Sequence, residues 1–408
     1  MKNEYVRQNL YDIIWSALTG KINLIQVIIG PRQIGKTTLA LQVYDEWKGP
    51  KLYQSADQPG SPPQQWLISQ WIQARELAKR TNKQTLLILD EVQKIDQWSE
   101  IVKKLFDEDK RQLQKVRILL LGSSSLLVQK GLTESLTGRF ELHQHFQWSF
   151  SECRDAFGVN LNQYIYFGGY PGGLVFKNDQ TRWSGFIRNS LIETVLAKDV
   201  LLMQPIAKPA LLRQTFTIAV NLPAQIISYQ KILGTLQDAG NTTTIASYLK
   251  LLANAFLIQP LDKFSGSIIK TKGSAPKIII LDNALISALS GKNYKELSQD
   301  KTFWGRMIEN ATGAAIYRET ATRGGHLFYW RDRQNEIDFI IQLGLRIISV
   351  EVKSSTIKQA PLSMKIFQKK YSQVENVIIS NSKTQVIDGI KNINLRDFFL
   401  KPELIFDL

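Results

Sequence analysis

A chain of 408 residues exceeds the size of one ordinary hydrophobic core, so two to three domains are expected. Hydrophobic residues make up 44% and charged residues 21%, which excludes disordered, collagen-like and coiled-coil proteins. Lysine and arginine number 51 against 36 aspartate and glutamate residues, and the net charge of +15 favours nucleic acid as a partner, although a merely basic, soluble surface is the alternative.

Cysteine usage and hydropathy suggest a compartment. The single cysteine, Cys153, cannot form an internal disulfide, and no cysteine and histidine cluster is spaced to bind zinc. Charged residues interrupt the N-terminal stretch, so it does not resemble a secretory signal, and no apolar run is long enough for a membrane span. We therefore expect a cytoplasmic protein without a membrane partner.

The first predicted elements are a strand over residues 22–29, a glycine loop and a helix from Thr37 to Trp47. The loop has the pattern GxxxxGK[ST], whose N–H groups wrap around phosphates while its lysine reaches the β- and γ-phosphate oxygens. The Thr37 hydroxyl is expected to bind Mg²⁺. The predicted ATP-binding residues are Gly30, Pro31, Arg32, Gln33, Ile34, Gly35, Lys36, Thr37 and Thr38.

Two bare apolar runs, residues 86–89 and 118–121, predict buried parallel strands and therefore an α/β sheet. Asp90 follows the first run as the second predicted Mg²⁺ ligand, and Glu91 is positioned to polarise the attacking water. The alternative is a strand-end turn with solvated carboxylates. Ser123 follows the second run, where it would sense the γ-phosphate unless it only forms a turn.

A polar loop interrupts the α/β part, and from Ser149 the chain is predicted to become largely helical. A polar loop over residues 58–65 precedes a helix containing the expected core residues Trp66 and Trp71. A helical lid is expected from Ser149, interrupted by a tight turn or loop at residues 168–173.

Residues 227–261 contain two helical patterns joined near residues 238–242 and followed by an apolar extended run, which predicts a helix-turn-helix with a wing. The second helix either contacts phosphates or bases, or only packs against its neighbours. Its candidate contact residues are Thr242, Thr243, Thr244, Ser247, Tyr248 and Lys250.

A second α/β domain is predicted from residue 303, with the order helix, three strands, helix and strand. Glu309 lies in the first helix and Asp338 in a strand. Glu351 and Lys353 share one face of the next strand, because side chains alternate along a strand. Metal-dependent phosphodiester cleavage requires such a set: Asp338 and Glu351 would bind Mg²⁺, and Lys353 would stabilise charge or orient hydroxide.

The alternatives for these residues are a solvated strand surface and an inactivated nuclease fold. Glu336 shares a face with Asp338, as a substitute ligand or a rim residue. His143, His145 and His326 show no ligand spacing and are expected to be structural or surface residues.

The motifs GPRQIGKTTL, LILDEVQ, GSSS, LTGRF and GGYPG occur in this order. Together with the C-terminal EIDFII and VEVKSS, they resemble the AAA+ type ATPases of bacteria and archaea that carry a winged-helix region and a PD-(D/E)XK restriction-endonuclease-like domain. Ile337 replaces the proline of that signature. The resemblance implies a homo-oligomer, a hexameric ring, in which Arg139 would act as an arginine finger on a neighbouring subunit; a surface or capping arginine is the alternative.

These interpretations give an α/β protein with a P-loop AAA+ ATPase core over residues 1–150 and a helical lid over 151–205. A winged helix-turn-helix over 206–265 and a PD-(D/E)XK nuclease-like domain over 266–408 complete it. The leading hypothesis is an ATP-hydrolysing protein that binds, and remodels or cleaves, branched or recombining DNA, with ATP and Mg²⁺ as cofactors. The rivals are a nucleotide-dependent switch or protein-interaction ATPase with a silent nuclease fold, and a nuclease-type defence or toxin protein.

Overall fold

The computed structural model describes residues 5–122, 132, 135–200, 206, 208–236, 241–266, 274–371 and 373–407. The chain forms two compact units, Met1–Phe146 and Gln147–Leu408. The division lies just before residue 150, where the ATPase core was predicted to end. The predicted boundaries at 205 and 265 fall inside the second unit.

The first unit is a five-stranded parallel sheet with helices between its strands, which confirms the predicted α/β fold. The spatial order of the strands is β2-β3-β4-β1-β5. The strands are Ile25–Ile29 (β1), Lys51–Ser55 (β2), Thr85–Asp90 (β3), Val116–Gly122 (β4) and Phe140–Gln144 (β5). The helices are Gln8–Thr19 (α1), Lys36–Glu46 (α2), Gln64–Thr81 (α3) and Trp98–Gln112 (α4).

The centre of this sheet forms the core of the unit. Every residue of β1, β3 and β4 is buried, as their bare apolar sequences predict. Ile14 of α1 and Leu39 of α2 belong to one hydrophobic cluster with these strands. On α3, Trp71 is buried and its ring N–H donates to a carboxylate of α4, whereas Trp66 is half-buried. Trp71 is therefore a core residue, as predicted.

The second unit begins with short helices, as expected from residue 149. Four α-helices are followed by two π-helical segments, Phe186–Ile192 and Val195–Asp199. The α-helices are Phe150–Phe157 (α5), Leu161–Phe167 (α6), Pro171–Leu174 (α7) and Gln180–Gly185 (α8).

Only residues 168–170 of the glycine turn predicted over 168–173 lie between α6 and α7, because residues 171–173 already belong to α7. Gly168 has a φ of 70°, and a Cβ there would lie 1.8 Å from Oδ1 of Asp282. The Gly169 N–H donates to Oδ2 of the same carboxylate at 2.7 Å. Only glycine allows this close approach, so the two glycines let the segment between α6 and α7 pack against the buried Asp282 carboxylate.

The middle of the second unit places two consecutive helices over a small antiparallel sheet with the order β6-β8-β7. The last of these three strands in the chain lies beyond residue 265, where the winged helix-turn-helix was predicted to end. The elements are Pro209–Asn221 (α9), Gln225–Ile226 (β6), Tyr229–Thr235 (α10), Thr242–Asn254 (α11), Ile258–Leu261 (β7) and Lys277–Ile280 (β8).

The C-terminal part is a six-stranded sheet with the order β13-β14-β12-β11-β10-β9, preceded by a long helix. The predicted order of helix, three strands, helix and strand is confirmed. The helices are Asn283–Ser290 (α12), Tyr294–Gln299 (α13), Lys301–Thr322 (α14), Leu362–Lys370 (α15) and Leu395–Leu400 (α16). The strands are His326–Asp332 (β9), Asn335–Leu343 (β10), Arg346–Lys353 (β11), Val374–Ser380 (β12), Gln385–Ile387 (β13) and Ile390–Asn394 (β14).

Strands β9, β10 and β11 form an antiparallel meander, and β12 returns parallel to β11 after α15. Trp330, Ile340 and Phe367 belong to one hydrophobic cluster between the sheet and α15. Gly313 on α14 leaves space for the ring of Phe339, which would lie 2.5 Å from a Cβ at that position. Within the part of the chain that the structure describes, no helix has the length and apolarity to cross a bilayer.

Candidate nucleotide site and carboxylate cluster

The glycine loop between β1 and α2 has the backbone geometry of a phosphate cradle. Gly30 has a φ of 159°, and a Cβ there would lie 2.4 Å from the carbonyl oxygen of His145. Gln33 and Gly35 both have left-handed backbone angles, with φ of 60° and 89°. The loop therefore curls directly into the N-terminus of α2, where backbone N–H groups attract anions.

Lys36 lies at the opening of this loop. Its ammonium donates to the carbonyl oxygens of Gly30 at 2.9 Å and Pro31 at 2.7 Å, and the residue is buried. The loop thus holds the Lys36 ammonium at the place where it would help to neutralise bound phosphates. This position fits the role expected from the sequence motif.

Asp90 at the end of β3 faces the first turn of α2. Its Oδ2 accepts hydrogen bonds from the Thr37 hydroxyl at 2.8 Å and from the Tyr53 hydroxyl at 3.0 Å. The structure therefore brings Thr37 and Asp90 together although 53 positions separate them in sequence. A hydroxyl and a carboxylate at this distance are the oxygen ligands that Mg²⁺ accepts beside a nucleotide.

Tyr53 was not found by sequence reasoning. It lies in β2, an edge strand with a mixed polar sequence, and pairs in register with Ile88 of β3. Burial, and then the charge and hydrogen bond of Asp90, raise the pKa of the Tyr53 hydroxyl. The phenol therefore stays protonated and orients the carboxylate as a donor.

Glu91 immediately follows Asp90 in a left-handed backbone conformation with a φ of 55°. Its N–H donates to the Leu121 carbonyl at 3.0 Å, and its Oε2 accepts from the Gln93 amide at 2.5 Å. The side chain is half-buried at the same edge of the sheet as Asp90. The proposed γ-phosphate sensor Ser123 lies outside the described residues.

Arg139 and two of the histidines lie in the same unit. The Arg139 guanidinium forms a double hydrogen bond with Asp107 of α4, at 2.7 and 2.9 Å. An arginine finger directed at another subunit would first have to break this pair. The His145 ring is buried, and burial holds its pKa well below the ordinary value, while His143 contacts the Gln26 amide oxygen at 2.6 Å.

The second predicted site contains a residue that the sequence did not reveal. The ammonium of Lys277, at the start of β8, lies 2.5 Å from Oε1 of Glu309, 3.3 Å from Oδ1 of Asp338 and 3.4 Å from Oε1 of Glu336. The lysine side chain has no solvent exposure. We call these four residues the carboxylate cluster. Glu309 and Asp338, two of the predicted acids, therefore meet around an internal cation together with Glu336, the predicted substitute ligand or rim residue.

Asp338 is bonded on both oxygens, because its Oδ2 also accepts the backbone N–H of Val352 at 2.8 Å. Glu351 and Lys353 lie alongside and pair with each other at 2.7 Å. The second oxygen of Glu351 is buried and has no hydrogen-bond partner in the structure as described. Burial, and then the charge of Asp338, raise the pKa of Glu351 to about 8.

Glu309 is a second acid of this site whose pKa is raised. Burial, and then the charge of Asp338, raise the pKa of Glu309 to about 7 despite its contact with Lys277. Among the described residues, no three histidine, cysteine, aspartate or glutamate side chains are arranged to hold a metal ion. Asp338 and Glu351, the predicted Mg²⁺ ligands, each contact a lysine ammonium instead, Lys277 at 3.3 Å and Lys353 at 2.7 Å.

Comparisons with known proteins cover three separate parts of the chain. Residues 23–154 match the family described as AAA domain, which supports an AAA+ ATPase with nucleotide binding. Residues 159–296 and 304–398 match two families described as Domain of unknown function, DUF8612 and DUF4143. The AAA+ part of the predicted resemblance is confirmed, whereas the winged helix and the nuclease domain stay predictions.

Relatives and solved structures extend these matches. The uncharacterized protein Rv2008c of Mycobacterium tuberculosis is 26% identical over 345 residues, 84% of this chain and 73% of that protein. The uncharacterized protein MJ1544 of Methanocaldococcus jannaschii is 26% identical over 340 residues, 78% of this chain and 72% of that protein. The RuvB Holliday junction branch migration motor of Thermotoga maritima matches at 14% identity and a TM-score of 0.33, over 62% of this chain and 89% of that one. A TM-score of this size does not establish a common fold over the matched region.

Proposed function

We propose that this protein hydrolyses ATP at the loop between β1 and α2 and couples the turnover to DNA bound by its second unit. The observation that carries the ATPase proposal is the hydrogen bond between Thr37 and Asp90 at the end of a loop closed by Lys36. Three residue types with separate roles in phosphoryl transfer meet there.

Each side chain has a defined role in this proposal. Lys36 neutralises the β- and γ-phosphates, and the N–H groups of the loop and α2 bind their oxygens. Thr37 and Asp90 would hold Mg²⁺, which supplies Lewis-acid stabilisation of charge on the phosphates when it is bound. Glu91 accepts a proton from the attacking water, and Tyr53 keeps Asp90 oriented.

The DNA proposal depends on the middle of the second unit. Its order of helix, strand, two helices and two strands, with β8 between β6 and β7, supports the proposal of a winged helix. On α11 the exposed residues Thr243, Ser247 and Lys250 share a helical face, and neither α10 nor α11 contains an acidic residue. A polar face without negative charge suits phosphate contacts better than base recognition.

Tyr248 does not belong to this face, which corrects the predicted contact set. It is 5% exposed, and its hydroxyl donates to the Lys208 carbonyl at 3.3 Å. Thr242, Thr243, Ser247 and Lys250 are exposed, and Thr244 is half-buried. We do not extend the proposal to DNA cleavage, because the Lys277 ammonium already contacts two acids of the predicted nuclease site, Glu309 and Asp338.

The test compares phosphate release by the wild type, Lys36→Ala and a matched control, Lys48→Ala, whose side chain is 89% exposed. Lys36→Ala is expected to lower kcat by at least about 100-fold, since one fixed cation on the developing charge is lost. The control should retain the wild-type rate. Turnover that survives in Lys36→Ala would refute the nucleotide site.

The DNA part is tested by adding linear, forked and four-way-junction DNA to the same assay and measuring affinity against salt. We expect DNA to stimulate turnover and Lys250→Ala to reduce the salt slope by about one phosphate contact. An ATPase rate that no DNA changes would favour the rival function, a nucleotide-dependent switch or protein-interaction ATPase. A hexameric ring completed by Arg139 stays part of the proposal, to be tested by the oligomeric state with bound nucleotide.

A further inference from the structure

Two neighbouring strands hold the backbone of Lys277 in place. It is the first residue of β8, the central strand of the small sheet, and pairs in register with Ile226 of β6 and Leu261 of β7. The ring of Phe339 lies under its ammonium, 5.1 Å from the ring centre. The two neighbouring strands fix the backbone of Lys277, and its side chain has no solvent exposure, so the ammonium is enclosed beside the acids of the carboxylate cluster.

The position of the ammonium matters for the chemistry of the carboxylate cluster. It contacts Glu309, Glu336 and Asp338 at 2.5 to 3.4 Å, on the side where these acids converge. A divalent ion needs several oxygens at about 2.0 to 2.6 Å in an ordered shell. The ammonium and a metal ion would compete for the same oxygens, and the two positive charges would repel each other in a buried space.

Three of the four carboxylate oxygens of Asp338 and Glu351, the predicted Mg²⁺ ligands, already have a cation or an N–H as partner. Oδ2 of Asp338 accepts the Val352 N–H, and Oε1 of Glu351 contacts the Lys353 ammonium. The only unused oxygen in this pair is Oε2 of Glu351, which is buried. A Mg²⁺ ion held by this one oxygen would have to complete its near-octahedral shell with water or phosphate beside two lysine ammonium groups, which oppose its charge.

We propose that the Lys277 ammonium is the resident cation of the carboxylate cluster in place of a divalent metal ion, so that the C-terminal domain neither binds Mg²⁺ there nor cleaves phosphodiesters. Asp338 then has a structural role, because it ties β10 to β11 through the Val352 N–H and to β8 through Lys277. Glu309 links α14 to β8 through its contact with the Lys277 ammonium. The fold keeps the acids because a buried ammonium without them would be costly.

The experiment counts bound Mn²⁺ by electron paramagnetic resonance on the full chain without nucleotide. The nucleotide loop near Lys36 is the same in the wild type and in Asp338→Asn, so any Mn²⁺ bound there cancels in the comparison. An ion bound at the carboxylate cluster is one that Asp338→Asn loses. We expect Asp338→Asn to lose none relative to the wild type. We expect Lys277→Met to gain about one equivalent, which Lys277→Met/Asp338→Asn loses again.

Lys353→Met is the matched control, because it removes a second lysine beside the same acids without opening the contacts of Lys277. It should gain no Mn²⁺. One equivalent bound by the wild type and lost in Asp338→Asn would overturn the proposal, as would Mg²⁺-dependent DNA cleavage lost in that variant. A folded Lys277→Met that binds no additional Mn²⁺ would overturn it too, since the lysine would not be what excludes the ion.

Lys277→Met leaves three carboxylates without their cation and can fail to fold. The comparison of the wild type with Asp338→Asn still decides the proposal in that case. Two results would then support Lys277 as the resident cation. The two proteins should bind equal amounts of Mn²⁺, and Mn²⁺ should raise their unfolding temperatures by the same amount. Both readings are independent of ATP turnover, so failure of the ATPase proposal leaves them unaffected.

Discussion

The substitution Glu351→Gln is expected to stabilise the protein at alkaline pH. In the folded chain burial raises the pKa of Glu351 to about 8, from an ordinary value of 4.5. The folded state therefore prefers the protonated carboxyl. The stability that this preference contributes is fully present below about pH 4.5 and is lost as the pH rises through about 8. Glutamine has the same shape and cannot ionise, so the Glu351→Gln variant should keep this stability at high pH.

The size of the effect follows from the same change in pKa. One pKa unit corresponds to about 1.4 kcal/mol, so the rise to about 8 is equivalent to an upper limit of about 5 kcal/mol. The Glu351 side chain is 7% exposed, so solvent screens it little. We expect similar free energies of unfolding for the variant and the wild type near pH 5, and a variant more stable by about 2 to 5 kcal/mol at pH 9.

The assay is urea denaturation of both proteins at several pH values between 5 and 9. Glu375→Gln is the control, because Arg346 contacts Glu375 through two hydrogen bonds and lowers its pKa. The stability that the ionised Glu375 contributes is present above the pKa of Glu375 in the unfolded chain and is lost as the pH falls. Glu375→Gln should therefore be slightly less stable than the wild type at pH 9. A Glu351→Gln protein that is less stable than the wild type at pH 9 would refute the reasoning and indicate an ionised, well-paired Glu351.

Three further predictions concern other parts of the chain. Glu91→Gln should lower the hydrolysis rate by about 10² to 10⁴-fold while nucleotide binding persists, as measured by phosphate release and equilibrium binding; unchanged turnover would exclude it as the base. Arg139→Ala removes the partly exposed pair with Asp107 and a local hydrogen bond to the Thr137 carbonyl, so the free energy of unfolding should change little, and a large loss of turnover would then indicate a role between subunits. Asn310→Ala leaves the N–H and C=O of Ile280 unpaired in the core and should cost about 2 to 5 kcal/mol in urea denaturation, whereas a loss below about 1 kcal/mol would contradict that account.

Local patterns were sufficient for the central parts of both sheets. Residues 86–89 and 118–121 are bare apolar runs, and both are buried parallel strands, because only a strand covered on both faces has such a sequence. The edge strands β2 and β5 were not predicted, since KLYQS and FELHQ are half-exposed and mix polar with apolar residues. Tyr53, which orients Asp90, was missed with its strand.

The sequence by itself determined the phosphate loop, because its glycines, lysine and threonine are contiguous and their spacing alone fixes the backbone that they form. It also determined which acids lie on the strands of the C-terminal sheet. Only the tertiary structure decided what faces those acids. Lys277 has no motif around it in KIII, and it reaches Glu309 and Asp338 only because β8 carries it there. An isolated buried lysine is invisible to periodicity, whereas its energetic effect depends on distances across a folded core.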